Sequence, residues 1–234
     1  MDITPDTIVL WQWGPISVNA TIFWTWVVMA ILVIGSWLAT RNITSGPDMS
    51  RWQNLLETVV GYMRDQLREI TRQEPGAYLP FVGTLFIFIS VSNILAMVPG
   101  YEPPTGSLST TSALALCVLF AVPIFGITKR GVAAYLKHYI RPTPLMLPFQ
   151  VMAELSRTLA LAVRLFGNVM SGQLIVAILI SIVPLVFPVV MQALGLLLGQ
   201  IHAYIFAVLA AVYIGSGTRA YEERSENDGG SSEQ

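Results

Sequence analysis

Two consecutive apolar runs, about Leu145–Ile180 and Val189–Gly217, close this 234-residue chain, joined by a turn that holds Pro184 and Pro188. A helix of about 20 apolar residues already crosses a bilayer core about 30 Å thick. A helix of about 35 residues is about 50 Å long, so it must tilt steeply, bend or project from the membrane. Division of each run into two ordinary helices is the alternative, and a long, steeply tilted helical hairpin is the preferred reading. Three shorter runs precede the pair: Ile16–Ala39, Leu79–Pro99 and Leu108–Thr128. Only 12% of the residues are charged and 54% are hydrophobic, with mean hydropathy +0.63. A soluble domain carries roughly 25% charged residues. The chain therefore reads as an all-α membrane protein of about five passes.

Between the first two runs, Arg51, Glu57, Arg64, Asp65, Arg68 and Glu69 alternate with apolar positions. Such a pattern predicts an amphipathic helix on the membrane surface. The organisation expected is a first unit over 1–78, a membrane domain over 79–219, and an acidic, Gly/Ser-rich disordered tail over 220–234. No Lys or Arg precedes the first run, which lacks the basic start of a signal peptide and reads as retained. A net charge of −1 argues against nucleic acid as a partner. The single cysteine, Cys117, cannot form an internal disulfide and reads as packing. His138, beside Lys137, reads as solvated.

Basic residues set the orientation. Residues 1–15, 100–107 and 181–188 contain no Lys or Arg, whereas 40–75, 129–141 and the tail do. The two classes alternate across the five runs. The positive-inside rule then puts the N-terminus outside and the C-terminus in the cytoplasm.

Within the fourth run, "LALAVRLFGNVMSGQL" (159–174) places Arg164 among apolar neighbours, and no acid is nearer than Glu154. An arginine at the centre of a membrane helix costs about 2.5–3.5 kcal/mol on the insertion scale, so it usually faces a cavity or a partner. At about 100° per residue, Glu154, Arg157, Arg164, Asn168 and Ser171 share one helix face. Ala153, Ala160, Gly167 and Gly172 lie on or beside it, and small residues admit a close neighbour. A Glu154–Arg157 pair explains Arg157, one turn away. It leaves Arg164, about 15 Å further along, without a counter-charge. The missing carboxylate is expected from another chain.

"RLFGNVMSGQL", "VPLVFP" and "HAYIFAVLAAVYIGSG", with "PGYEPPTGSLSTTSALAL" and "ELSRTLALAVRLFGN" upstream, resemble subunit a of the F-type ATP synthases over roughly residues 80–218. The short N-terminus and the 100–112 segment are similar to the bacterial N-type branch of that family. The resemblance implies a non-catalytic, ion-translocating stator subunit beside a ring of c subunits, each with one membrane carboxylate. It also implies peripheral-stalk b subunits and, indirectly, the soluble ATPase sector as partners. The family's essential arginine falls on Arg164, between two offset half-channels for protons or, less usually, sodium. Two departures stand out. Gln173 occupies a position where a glutamate is common, and His202 one where a glutamine is common. Gln173 cannot exchange a proton, whereas His202 can titrate near neutral pH. On an ideal helix Gln173 points away from Arg164.

Gln192, Gly195, Gly199 and His202 share one face of the last helix, so His202 is expected to point toward the hairpin seam, with the Gly-x-x-x-Gly serving close packing. Hydroxyls at Ser107, Ser109, Thr110 and Thr111 either cap the third pass or, with Asn93 and Gln173, line an outer path of neutral oxygens. A self-contained ion carrier or channel is the alternative function, although the internal repeats common in carriers are missing. Two separated histidines and one cysteine supply neither a metal-ligand cluster nor a nucleophile–base pair, so no metal, cofactor or enzymatic centre is expected.

Overall fold

The computed structural model describes residues 9–13, 16–41, 51–72, 74–98, 100–131, 146–182 and 187–219. Lys137, His138 and Arg141 of the basic loop, Pro184 of the last turn and the 220–234 tail lie outside the described residues. Among the described residues, six α-helices follow one short antiparallel pairing, β1 (Val9–Trp13) with β2 (Ile16–Asn19). The first apolar run therefore splits, its opening four residues pairing as a strand before α1 (Ala20–Thr40) begins. Hydropathy alone missed this. The run of aromatic and β-branched residues on both sides of Gly14–Pro15 is the signal that could have found it.

The remaining helices are α2 (Arg51–Thr71), α3 (Leu79–Leu95), α4 (Leu108–Arg130), α5 (Met146–Ile182) and α6 (Phe187–Arg219). Among the described residues, α1, α4, α5 and α6 are long and apolar enough to cross a membrane. The second expected pass is the shorter α3, of 17 residues. It stops before the turn in which Gly100 takes φ +86°, a backbone conformation that glycine adopts without steric penalty. The two C-terminal runs are continuous helices of 37 and 33 residues that pack together, rather than four ordinary ones.

Backbone groups in lipid must be satisfied within the helices, and short polar side chains are absorbed the same way. The hydroxyls of Thr25, Thr84, Ser92 and Thr158 each donate to the carbonyl four residues back, at 2.7–2.9 Å. These residues interrupt the apolar sequence without leaving a polar group unpaired.

Helix α6 is the hub, packing on α2, α3, α4 and α5. Its buried Ala203, Ala207, Ala210 and Ala211 present little side chain, so several helices can approach one axis closely. Around it, Leu85, Phe88 and Ile89 of α3 meet Leu161 and Leu165 of α5 in one apolar cluster. Leu67 of α2 joins Tyr78, Val82 and Ile214 in a second. The amphipathic α2 is thus docked on the bundle: Tyr204 donates to Gln66 Oε1 at 3.0 Å, and Thr71 sits against Gly215. On its exposed side, Arg64 and Arg68 both pair with Glu74. Cys117 is exposed on α4 rather than packed, because the α4 faces that turn inward are those of Ala115, Val118 and Val122.

Candidate functional site

The site is built on α5. This helix buries Leu161, Ala162 and Leu165 against its neighbours and leaves Arg157, Ala160, Arg164, Gly167 and Ser171 on the exposed side. The expected polar face is therefore turned out of the chain, with Glu154 and Asn168 half-buried at its edge. A Cβ added at Gly167 or Gly172 would meet nothing within 4 Å. Among the described residues no carboxylate lies within ion-pair distance of Arg164.

Glu154 and Arg157 pair at 3.6 Å across one turn, and the Arg157 guanidinium also lies 5.8 Å from the centre of the Tyr213 ring of α6. A cation over an aromatic face is held by the ring's negative π surface. Arg157 is thus accounted for within the chain, and the pair does not extend to Arg164.

Arg164 and His202, with Leu161, Leu165, Ile205 and Phe206, line one small cleft between α5 and α6. His202 Nδ1 lies 2.9 Å from the Leu198 carbonyl. A carbonyl can only accept, so in the neutral ring the proton sits on Nδ1 and Nε2 remains an acceptor. The cleft therefore combines a permanent cation with one open proton-accepting position.

The other expected residues gather about nine residues further along α5. Gln173 Oε1 lies where a Cβ on Gly106 would be 3.1 Å away, so the 100–107 turn rests on Gln173. Thr105 donates to Asn93 Oδ1 at 3.4 Å, and Asn93 Nδ2 donates to the Gly199 carbonyl at 2.8 Å. Glycine makes the room for this: a Cβ at 199 would lie 3.0 Å from Asn93 Cγ and Nδ2, so the Asn93 side chain would have to give way. Ser107 caps α4, its Oγ accepting from the Ser109 amide at 3.2 Å, and Thr111 donates to the Ser107 carbonyl at 3.1 Å. Of these hydroxyls that of Ser107 caps, that of Ser109 pairs with it at 2.6 Å and that of Thr111 returns to the backbone, while Thr110 is half-buried beside them.

The face of the last helix that carries Gln192, Gly195, Gly199 and His202 divides between two neighbours. Gln192 donates to the Ala96 carbonyl at 3.3 Å and Gly199 abuts Asn93, so this part of the face meets α3 rather than the hairpin seam. His202 alone of the four reaches the Arg164 cleft. The cause is angular: the four residues span about 80°, wide enough to straddle two neighbours of α6. Gly195 has nothing within 4 Å, so only Gly199 serves close packing within the chain.

Sequence reasoning missed Gln200, which is locked to Ser90. Ser90 donates to its Oε1, and its Nε2 donates to the Ser90 carbonyl at 3.0 Å. Polar residues at 90 and 93 on α3, with 192 and 200 on α6, were the available signal for a polar seam. No group of three His, Cys, Asp or Glu side chains able to hold a metal occurs among the described residues.

The profile of a family described as the ATP synthase A chain matches residues 22–215. Similarity to named proteins covers nearly the whole chain. An "ATP synthase subunit a 2" of Acaryochloris marina is 57% identical, covering 97% of this chain and 97% of that protein. An "ATP synthase subunit a 1" of Crocosphaera subtropica is also 57% identical, over 97% and 99%. An "ATP synthase subunit a" of Albidiferax ferrireducens is 54% identical, over 97% and 98%.

Proposed function

The chain belongs to the ATP synthase A chain family, and from that premise we propose that it is the stator subunit of the membrane sector of a rotary F-type ATP synthase, with Arg164 as its coupling charge. The observation that carries the reading is Arg164 itself. A guanidinium exposed on a small-residue face, without a carboxylate in reach, fits a partner that brings the carboxylate with it. In this reading the c ring lies against the exposed side of α5.

Opposite charges attract strongly where water is excluded, so Arg164 holds an arriving c carboxylate ionised. The same charge repels a cation that would slip directly between two half-channels. Each ion must leave on one side before the next binds from the other, and ring rotation becomes obligatory. Five passes, α3 included, a tilted α5–α6 hairpin, an outside N-terminus and a bacterial inner-membrane location complete the topology. The outer route follows Gln173, Thr105, Asn93 and Thr110. The inner route passes Glu154 and Arg157, and His202 relays protons beside Arg164. Peripheral-stalk b subunits hold the stator, and the chain catalyses nothing alone.

Purification in mild detergent tests the reading. A stator comes out with a ring of small subunits and a soluble ATPase; recovery of the chain alone would favour a self-contained carrier. Protons are the proposed ion, the more usual of the two that the resemblance implies. Activation of the complex's ATPase by millimolar-scale sodium at fixed alkaline pH, with sodium protecting the c carboxylate from carbodiimide, would reject protons in favour of sodium.

A further inference from the structure

Between Glu74 and Glu154 the sequence holds one acid, Glu102, and after Glu154 none follows until Glu222. Arg164 thus stands between two solitary carboxylates. Glu154 lies ten residues before it on α5, about 15 Å away along the axis. The turn that holds Glu102 rests, through Gly106, on Gln173, nine residues and about 14 Å beyond Arg164 in the other direction. Glu154 is answered by Arg157. Glu102 is not answered.

Its Oε2 is shut away from solvent and has no hydrogen-bond partner, the one carboxylate oxygen of which this is true among the described residues. An ionised oxygen in that condition is costly unless a cation comes to it. None stands nearby. The turn packs on α1, α3, α4 and α5. Helix α3 has no charged side chain, α1 none at all, and α4 none before Lys129. The part of α5 beyond Arg164 has none either. The other titratable groups on these elements are Cys117, exposed on α4, and Tyr101. The buried Tyr101 hydroxyl faces Ser92 without a hydrogen bond of good geometry. From Glu102 the polar groups run inward: Thr105, then Asn93 and the Gly199 carbonyl, with Gln173 against the same turn.

We propose that Glu102 is the carboxylate at which the outer ion route begins, binding the coupling cation from outside water and passing it toward Asn93 and Gln173. It supplies from the turn the acidic group that Gln173 does not supply from α5. When the cation moves on, Glu102 returns to its charged form, and nothing is consumed. The inference rests on the stator reading above and adds a residue to it.

The test uses the whole complex in sealed vesicles, with ATP synthesis driven by an imposed gradient while the ion concentration on the outer side is varied. Glu102→Gln should raise the outer proton concentration for half-maximal rate about tenfold, as expected when a nearby negative charge is lost. The rate at saturating outer protons should stay near wild type, and the dependence on inner pH should not move. Glu102→Asp should restore the outer dependence. Should Glu102→Gln fail to assemble, Glu102→Ser, which also removes the carboxylate, is read in its place and must show the same rise in the outer half-maximum. An unchanged outer dependence in Glu102→Gln, or in Glu102→Ser where it stands in, would overturn the proposal. So would an equal fall in rate at every outer concentration. Arg164→Ala, measured alongside, separates the two readings: if it too synthesises ATP normally, the stator reading itself has failed.

Discussion

Replacing Arg164 by alanine separates coupling from folding, because the structure gives its side chain no partner to lose. Arg164 is exposed, and among the described residues it makes no ion pair. Alanine is the best helix former, and substitution at such a site changes stability by about 0.5 kcal/mol or less. The complex should therefore assemble and hydrolyse ATP. The coupling loss is far larger. Two unit charges 4 Å apart attract by about 4 kcal/mol at an effective dielectric of 20. At 1.36 kcal/mol per tenfold, that is about a thousandfold in holding the ring carboxylate ionised. Gradient-driven ATP synthesis by reconstituted Arg164→Ala complex should fall by about that factor, to background. Arg164→Lys should fail or nearly fail, since a lysine can lose its proton in a dry interface and lacks the guanidinium fork. Normal synthesis in either variant would refute the assignment.

Gly199→Ala should lower the thermal stability of the purified complex, because its Cβ would press on Asn93 at 3.0 Å. Overpacking of this kind costs about 1–3 kcal/mol, more than the helix gain of about 1 kcal/mol; an unchanged melting temperature would show that Asn93 yields freely. His202→Ala should slow proton flux through the membrane sector while leaving assembly intact, and an unaltered flux would remove His202 from the route. For topology, a cysteine replacing the exposed Leu108 should label from outside intact cells once Cys117 is replaced by Ala. One at Thr143, which lies outside the described residues, should label only from the cytoplasm; outside labelling there would overturn the orientation.

Helix positions were legible because membrane helices are announced by composition. The two long C-terminal runs end within about two residues of their predicted bounds, since apolar residues dominate both runs and turn signals bound them. Arg164 was equally legible, being a charge that no neighbour in the sequence could pair. The α3–α6 seam was not. Ser90, Asn93, Gln192 and Gln200 look like tolerated polar residues until the fold shows that each finds its partner about a hundred residues away. Their pairing depends on which helices become neighbours, and hydropathy carries no such information. Glu102 was overlooked for a related reason. A carboxylate in a turn reads as solvated, and only packing against four helices shuts one of its two oxygens away from water.

The distribution of satisfied and unsatisfied polar groups gives the chain two different sides. Inside, Gln200 is tied twice to Ser90 and Asn93 is tied to the α6 backbone. Hydrogen bonds between membrane helices are worth about 0.6 kcal/mol each on average, so several along one seam stiffen the α3–α6 pair more than they stabilise it. Outside, α5 offers Arg164 and small residues with no partner from its own chain. A charge that must meet a succession of moving carboxylates cannot be committed to a fixed one. It must also not retreat with the helix that carries it. The buried Leu161, Ala162 and Leu165 beside Arg164 meet that second need by locking α5 onto α4 and α6. Rigidity behind the arginine and vacancy in front of it are therefore two requirements of one mechanism, and a substitution that loosens Leu165 should weaken coupling without touching the charge.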